Sequence, residues 1–206
     1  MINKETPDII IGRLPVYLRA LHHMQVLGNQ TTSSQELGEQ VGISAAQIRK
    51  DLSQFGEFGK QGTGYNIAFL IGKLREILKV DRVWDVAVVG MGDMGHAIAR
   101  YQGFTDQGFR ITMVFDNDPD KIGERVGNFT VQDIKDMTDV VRKAGLKIAM
   151  LCVPAAKAQQ VANQLVEAGV KAILNYAPLS LNVPKGVWVQ YLDPSVGLQR
   201  MTYYLD

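Results

Sequence analysis

The chain has 206 residues, 46% of them hydrophobic and 21% charged, with a net charge of +1 and one cysteine. This length allows two small domains with separate cores, while the single cysteine excludes an internal disulfide and a cysteine-rich metal site, so we expect no bound metal. No apolar run approaches the ~18 residues of a membrane span, and Met1–Asp8 lacks a signal-peptide pattern, so we expect a cytoplasmic protein.

Helices are predicted in the first half of the chain. Apolar residues recur at helical spacing from Arg13 to Leu27, with Pro15 near the start, where a first-turn proline is tolerated. A shorter helix is predicted from Ser33, because Glu36 three positions later completes a capping box. The turn at residues 41–43, which has a central glycine, ends this second helix.

A third helix and a hairpin follow. Ser44 predicts the start of the helix, with Gln47 at the reciprocal capping position. The glycines between residues 56 and 64 favour a tight hairpin, and an amphipathic helix is predicted from Asn66 to Lys79. Two capped helices around a glycine turn, followed by a hairpin, are typical of a winged helix-turn-helix, which we predict for residues 1–80.

Short β-prone runs alternate with helices in the second half. The clearest helix is predicted from Ala155 to Ala168. Such alternation predicts an α/β fold with a doubly wound parallel sheet, a Rossmann domain, over residues 81–192, which leaves residues 193–206 for a terminal helix. The predicted strands are Val86–Val89, Ile111–Phe115, Ile148–Cys152, Ala172–Leu174 and Val187–Tyr191.

The first of these strands runs into a GxGxxG motif, followed by a predicted helix from His96 to Tyr101. Such glycines allow a tight turn and close approach of a pyrophosphate, which the helix N-terminus then holds. Asp116, 21 residues beyond Gly95, is placed to accept hydrogen bonds from the adenosine ribose and to repel a 2′-phosphate. We therefore predict NAD(H) rather than NADP(H), and interpret Lys121 and Arg125 as too far along the chain to change this. The predicted phosphate loop is Gly90-Met91-Gly92-Asp93-Met94-Gly95.

Val153 and Pro154, at the carboxyl edge of the predicted sheet, are further candidates for cofactor contact. The neighbouring Cys152 is either an oxidation-sensitive thiol or a small buried hydrophobe. A competing hypothesis is an NAD-dependent oxidoreductase with a helical extension, but such enzymes generally need a substrate pocket and a positioned acid–base group. His96 is predicted in a first helical turn, and no segment remains for a substrate domain. We therefore predict a protein that is not an enzyme.

The predicted third helix has one apolar and one polar face. Positions 45, 48, 52 and 55 form the apolar stripe at about 100° per residue, and the opposite face centres on Lys50. Lysine can bind guanine and glutamine can bind adenine in a major groove, so this face predicts binding of double-stranded DNA, the alternative being a solvated surface. The candidate DNA-binding residues are Ser44, Ala46, Gln47, Arg49, Lys50, Ser53, Gln54, Lys60, Gln61, Gly62 and Tyr65.

The chain resembles the Rex family of redox-sensing transcriptional repressors over essentially its whole length. The most specific run is Gln47–Asn66, which reads QIRKDLSQFGEFGKQGTGYN. Supporting segments are RLPVYLR at residues 13–19, the phosphate loop at 90–95, NYAP at 175–178 and DPSVGLQ at 193–199.

The resemblance implies a homodimer that binds an inverted-repeat operator with NAD⁺ and is released from DNA by NADH. It also implies that the terminal helix is exchanged between subunits. Leu198, Met201 and Leu205 form an apolar stripe on that helix, which must pack either on the partner or on its own subunit. The residues that the resemblance nominates for sensing the nicotinamide, through exchanged hydrogen bonds, are Arg13, Tyr101 and the partner subunit's Asp193.

Overall fold

A computed structural model of the protein describes residues 6–60 and 64–205, with only the backbone of Lys60. The chain divides into two compact units, Met1–Arg82 and Val83–Asp206, and each has buried apolar clusters of its own. Among the described residues, no helix is both long and apolar enough to span a bilayer.

The first unit combines helices with a small antiparallel sheet. Its helices are α1 (Asp8–Val26), α2 (Ser34–Val41), α3 (Ala45–Ser53) and α4 (Ile67–Ile77). Its strands are β1 (Thr31–Thr32), β2 (Gly59–Lys60) and β3 (Gly64–Asn66), which lie in the order β1-β3-β2. The predicted winged helix-turn-helix is therefore present, with β2 and β3 as the strands of the wing.

Helix α1 begins at Asp8 rather than at Arg13, so Pro15 lies inside the helix and its predicted place in the first turn is wrong. The apolar stripe continues upstream to the buried Ile10, and its packing keeps this segment helical. Because proline has no N–H, the carbonyl of Ile11 lacks its usual helical donor. Burial of the stripe outweighs this local penalty.

Helices α2 and α3 meet at the predicted glycine turn. The Ser33 hydroxyl accepts the N–H of Glu36 at 3.1 Å, and the Ser33 N–H donates to the Glu36 carboxylate at 2.6 Å, which confirms the capping box. Gly42 ends α2 with φ +69°. The Ser44 hydroxyl caps α3, but the predicted reciprocal bond from Gln47 is wrong, because its amide donates to a buried aspartate of α3 instead.

The second unit is an α/β layer structure. Its strands are β4 (Trp84–Val89), β5 (Phe109–Asp116), β6 (Arg125–Val126), β7 (Phe129–Thr130), β8 (Gln132–Asp133), β9 (Ile148–Leu151), β10 (Ala172–Asn175) and β11 (Trp188–Tyr191). Its helices are α5 (Asp93–Arg100), α6 (Met137–Ala144), α7 (Ala155–Glu167) and α8 (Pro194–Thr202), with 3-10 turns at Gln102–Gln107 and Ile134–Asp136. Helix α5 starts three residues before the predicted His96, because it begins directly after Gly92.

The main sheet confirms the predicted Rossmann fold. Its strands run in the order β11-β10-β9-β4-β5-β8, and all of its neighbouring strands are parallel. Counted from β4, this is the doubly wound order 3-2-1-4-5-6, which places a ligand crevice outside the carboxyl ends of the strands where the order reverses. The short β8 and the β6–β7 hairpin escaped prediction, because two-residue strands carry no periodicity.

Helix α8 has no buried residue along its described length. The apolar stripe predicted on the terminal helix therefore packs on no surface among the described residues of its own chain. Because α8 ends at Thr202, Leu205 of the predicted stripe lies beyond the helix. From residue 194 to 205, the exposed fractions of the large apolar side chains range from 61% to 83%, for Val196, Leu198, Met201, Tyr203, Tyr204 and Leu205.

We expect two glycines of the phosphate loop to differ in how much an alanine substitution destabilises the protein. A Cβ at Gly95 would collide with the Gly90 carbonyl oxygen, whereas a Cβ at Gly92 would meet nothing within 4 Å. Gly95→Ala should lower the free energy of unfolding by about 1–3 kcal/mol, as overpacking does, and Gly92→Ala should change it by less than about 0.5 kcal/mol. Urea unfolding followed by circular dichroism measures both, and equal losses would contradict the packing described.

Candidate functional site

A cleft of about 830 Å³ opens at the carboxyl edge of the main sheet. The ends of three neighbouring strands reach it through Gly90 after β4, Asp116 at the end of β5 and Cys152 after β9. Five of the predicted cofactor residues line the cleft, namely Gly90, Gly92, Asp116, Val153 and Pro154. Met91 and Gly95 are buried beneath the loop, while Asp93 and Met94 are exposed in the first turn of α5 and do not line the cleft.

The phosphate loop is shaped by close backbone packing. Gly90 has φ +95°, and a Cβ there would lie 2.6 Å from the Cys152 carbonyl oxygen, so only glycine fits between the ends of β4 and β9. Gly92 caps α5 with open space around its Cα and without a side-chain hydrogen bond to the helix from any described residue. The N-terminal amides of α5 therefore remain available for an anion.

Asp116 is tied to the loop that it faces. Its carboxylate accepts the N–H of Met91 at 2.6 Å and the N–H of Asp118 at 2.9 Å. Burial opposes the charge, but the hydrogen bonds from Asp118 and Met91 and the nearby Lys121 outweigh it and lower the pKa of Asp116. The carboxylate is thus ionised at neutral pH, so it acts as an acceptor for donors such as a ribose hydroxyl.

Lys121 lies next to this carboxylate, which corrects the expectation that it is too distant to matter. Its ammonium is 3.6 Å from Asp116 and 3.6 Å from Asp118, and all three residues line the cleft. The turn Asp118–Lys121 folds back on the end of β5, so a separation of five residues in sequence becomes direct contact. Arg125, by contrast, does not line the cleft.

Cys152 is half-buried at the edge of the cleft and packs against an apolar cluster of the second unit. Burial raises the pKa of its thiol to about 12, so the reactive thiolate is scarce at neutral pH. Of the two open interpretations, the raised pKa and the contact with the apolar cluster favour the small hydrophobe.

His96 lies in the first turns of α5, with Nδ1 3.0 Å from the Gly92 carbonyl and Nε2 3.4 Å from Glu124. It does not line the cleft. Within the described ranges, no group of three or more potential metal-ligating side chains comes together.

Of the residues nominated for sensing the nicotinamide, Tyr101 and Asp193 do not line the cleft of their own unit. Tyr101 is 61% exposed and lines a second pocket of about 340 Å³, with its ring edge-on to Phe104 at 4.9 Å. Asp193 caps α8 by accepting the N–H of Ser195 at 2.9 Å. Arg13 belongs to α1 in the first unit and forms an ion pair there.

The polar face of α3 is exposed as predicted. Ser44, Ala46, Arg49, Lys50, Ser53 and Gln54 are all solvent-exposed, whereas Gln47 is half-buried. The Arg49 guanidinium donates to the Ser34 hydroxyl at 2.9 Å, which anchors it over the start of α2. In the wing, Tyr65 is half-buried against the helical core, and the side chain of Lys60 together with Gln61 and Gly62 lies outside the described residues.

A buried charge network in the same unit was not predicted. Asp51 of α3 is fully buried and accepts hydrogen bonds from Arg13 and Tyr17 of α1 and from Gln47. One signal was available in the sequence: Asp51 lies about 60° from Ile48 around the helix, on the flank of the apolar stripe. A carboxylate there requires buried partners, although the sequence does not say which ones.

The chain is similar to known proteins along both units. A family model described as "CoA binding domain" matches residues 81–179, and one described as "Putative DNA-binding protein N-terminus" matches residues 5–53. The redox-sensing transcriptional repressor Rex of Roseiflexus sp. (strain RS-1) is 52% identical over 202 residues, which cover 98% of this chain and 92% of that protein.

Solved structures agree with this relationship. The crystal structure of RSP in complex with beta-NAD+ and operator DNA has a TM-score of 0.92 at 36% identity, covering 98% of this chain and 94% of that one. RSP in complex with beta-NADH has a TM-score of 0.90 at 34% identity, covering 98% and 95%. Since the relatives are named as repressors and not as enzymes, the dehydrogenase alternative is set aside, and the chain belongs to the Rex family of redox-sensing transcriptional repressors.

Proposed function

We propose that this cytoplasmic protein binds an inverted-repeat operator through its first unit and leaves the DNA when NADH replaces NAD⁺ in its second unit. The observation that carries the proposal is that a single chain contains both an exposed polar face on the third helix of a winged helix-turn-helix and a cleft at the carboxyl edge of a Rossmann sheet. The RSP structures with beta-NAD+ and operator DNA and with beta-NADH support both halves.

The cleft suits a dinucleotide. The N-terminal amides of α5 receive the pyrophosphate, with Gly90 and Gly92 leaving room for its approach. Asp116 accepts a hydrogen bond from the adenosine ribose, and its charge disfavours a 2′-phosphate. Val153 and Pro154 lie against the cofactor from the β9 side. The nicotinamide ring supplies the signal, because it is positively charged when oxidised and neutral when reduced.

The polar face of α3 enters the major groove. Lys50 stands at its centre and meets guanine O6 and N7, while Ser44, Ala46, Ser53 and Gln54 are small or polar enough to let the helix approach the bases. Arg49, held over α2, binds the phosphate backbone of the DNA. The wing residues Lys60, Gln61, Gly62 and Tyr65 bind the DNA backbone as well.

The protein acts as a homodimer. An inverted repeat requires two recognition helices related by a two-fold axis. The exposed apolar side chains of α8 supply a surface that a second subunit covers. In this arrangement Tyr101, Arg13 and the partner subunit's Asp193 sense the nicotinamide through hydrogen bonds that exchange when the cofactor changes.

The direct test begins with selection of an operator from random DNA duplexes by the protein itself. Fluorescence anisotropy then measures binding of the protein to this operator. NADH should release the bound operator, whereas NAD⁺ should leave it bound, because a ligand shifts an equilibrium only through unequal affinity for two states. Gly92→Ala is the matched control: it should bind the operator but respond to NADH only at higher concentration. Operator binding that ignores NADH, or a cleft that takes up no nucleotide in calorimetry, would refute the proposal.

Lys50→Ala should weaken operator binding by about 1–3 kcal/mol and relax base specificity at one position of each half-site. Lys73→Ala removes a partly exposed lysine of α4 in the same unit and should leave the affinity unchanged. Anisotropy with operator and random duplexes measures both variants. Equal weakening on the two duplexes would show that Lys50 contacts only phosphate.

The dimer is tested by charge insertion on α8. Leu198→Glu should raise the dimer dissociation constant at least about tenfold. Burial of a leucine side chain stabilises by about 1.5–3 kcal/mol, and the substitution replaces it with a carboxylate that is costly to bury. Gln199→Glu adds the same charge to the same helix at a polar position. Sedimentation equilibrium compares the two variants, and a dimer that survives Leu198→Glu unchanged would place the interface elsewhere.

A further inference from the structure

The buried carboxylate of Asp51 has every acceptor position filled. Its Oδ1 accepts Nη2 of Arg13 at 2.7 Å and Nε2 of Gln47 at 2.7 Å, while its Oδ2 accepts Nε of Arg13 at 2.6 Å and the Tyr17 hydroxyl at 2.6 Å. A carboxylate offers about four lone-pair directions, so four donors saturate it. Its side chain is 0% exposed, so no water competes for these positions.

Asp51 is charged in this environment. Burial opposes ionisation, but hydrogen bonds from Arg13, Tyr17 and Gln47 outweigh it and lower the pKa of the carboxyl. An ionised carboxylate only accepts hydrogen bonds, so whatever faces it must donate. The amide of Gln47 therefore turns its nitrogen towards Asp51, and the reversed amide would set two oxygens against each other.

This bond fixes what Gln47 can offer to DNA. Gln47 is half-buried at the border of the exposed face of α3, one turn from Asp51 on the same helix. With Nε2 held by Asp51, its Oε1 accepts no hydrogen bond from any side chain or amide in the described ranges. Gln47 can therefore offer DNA two groups: Oε1 as an acceptor and the second hydrogen on Nε2 as a donor.

We infer that Asp51 is a specificity-determining positioning residue, which holds Gln47 so that its carbonyl reads a base with an exocyclic amino group in the major groove. This inference rests on the proposed function, since it requires α3 to contact an operator. Adenine and cytosine carry such a group, whereas guanine and thymine present acceptors at the equivalent position. Adenine fits best, because its N7 accepts the second Nε2 hydrogen.

The experiment compares operators that carry each of the four bases at every position of the half-site. Gln47→Ala locates the position that Gln47 reads, because base preference is lost there. At that position the native protein should prefer adenine or cytosine over guanine or thymine by about fivefold to a hundredfold. Asp51→Asn should reduce this preference to within about twofold, because an amide at residue 51 also donates and lets Gln47 turn over.

Tyr17→Phe is the matched control. It removes one donor to Asp51 on the side away from Gln47, so it should lower thermal stability and leave base preference intact. Asp51→Asn combined with Gln47→Ala should match Gln47→Ala alone, because Asp51 acts through Gln47.

Two results would overturn the inference without touching the proposed function. One is a preference for guanine or thymine at the position read by Gln47, or the absence of any position whose base preference depends on Gln47. This result uses only the native protein and Gln47→Ala, so it tests the inference even if Asp51→Asn fails to fold. The other is a folded Asp51→Asn protein that keeps the native preference. Failure of the native chain to bind any selected operator would instead reject the proposed function.

Discussion

The first unit depends on one buried aspartate whose four hydrogen bonds join two helices. Asp51 of α3 is reached by Arg13 and Tyr17 from α1, so the recognition helix is held to the longest helix of the unit by charge and geometry as well as by apolar packing. A buried charge is tolerated only when paired and fully hydrogen-bonded, and here both conditions are met. Because these bonds are directional, they fix the rotation of α3 more tightly than its apolar stripe can.

The second unit uses a buried aspartate in a similar way. Asp116 holds the backbone of Met91 and of Asp118, so the phosphate loop and the turn after β5 are fixed to one carboxylate. Gly90 and Gly95 complete this arrangement, since neither has room for a side chain. The phosphate loop thus presents backbone atoms to the cleft at Gly90 and Gly92, which suits a pyrophosphate that is recognised by N–H groups.

These two aspartates separate the tasks of the molecule. Asp51 organises the helix that we propose contacts DNA, and Asp116 organises the backbone of the loop that we propose holds the nucleotide. Arg13 stabilises Asp51 within the first unit.

The sequence alone determined the helical first half, the Rossmann fold class of the second and the exposed face of α3, because helical periodicity, strand alternation and the GxGxxG motif are local patterns. It also placed Asp116 at the end of its strand. Only the tertiary structure decided the partners of Asp51, since Arg13 lies 38 residues away in sequence. Folding likewise brought Lys121 to Asp116 and left Tyr101 outside the cleft. Contacts between distant residues depend on how helices and turns pack, which composition and periodicity do not encode.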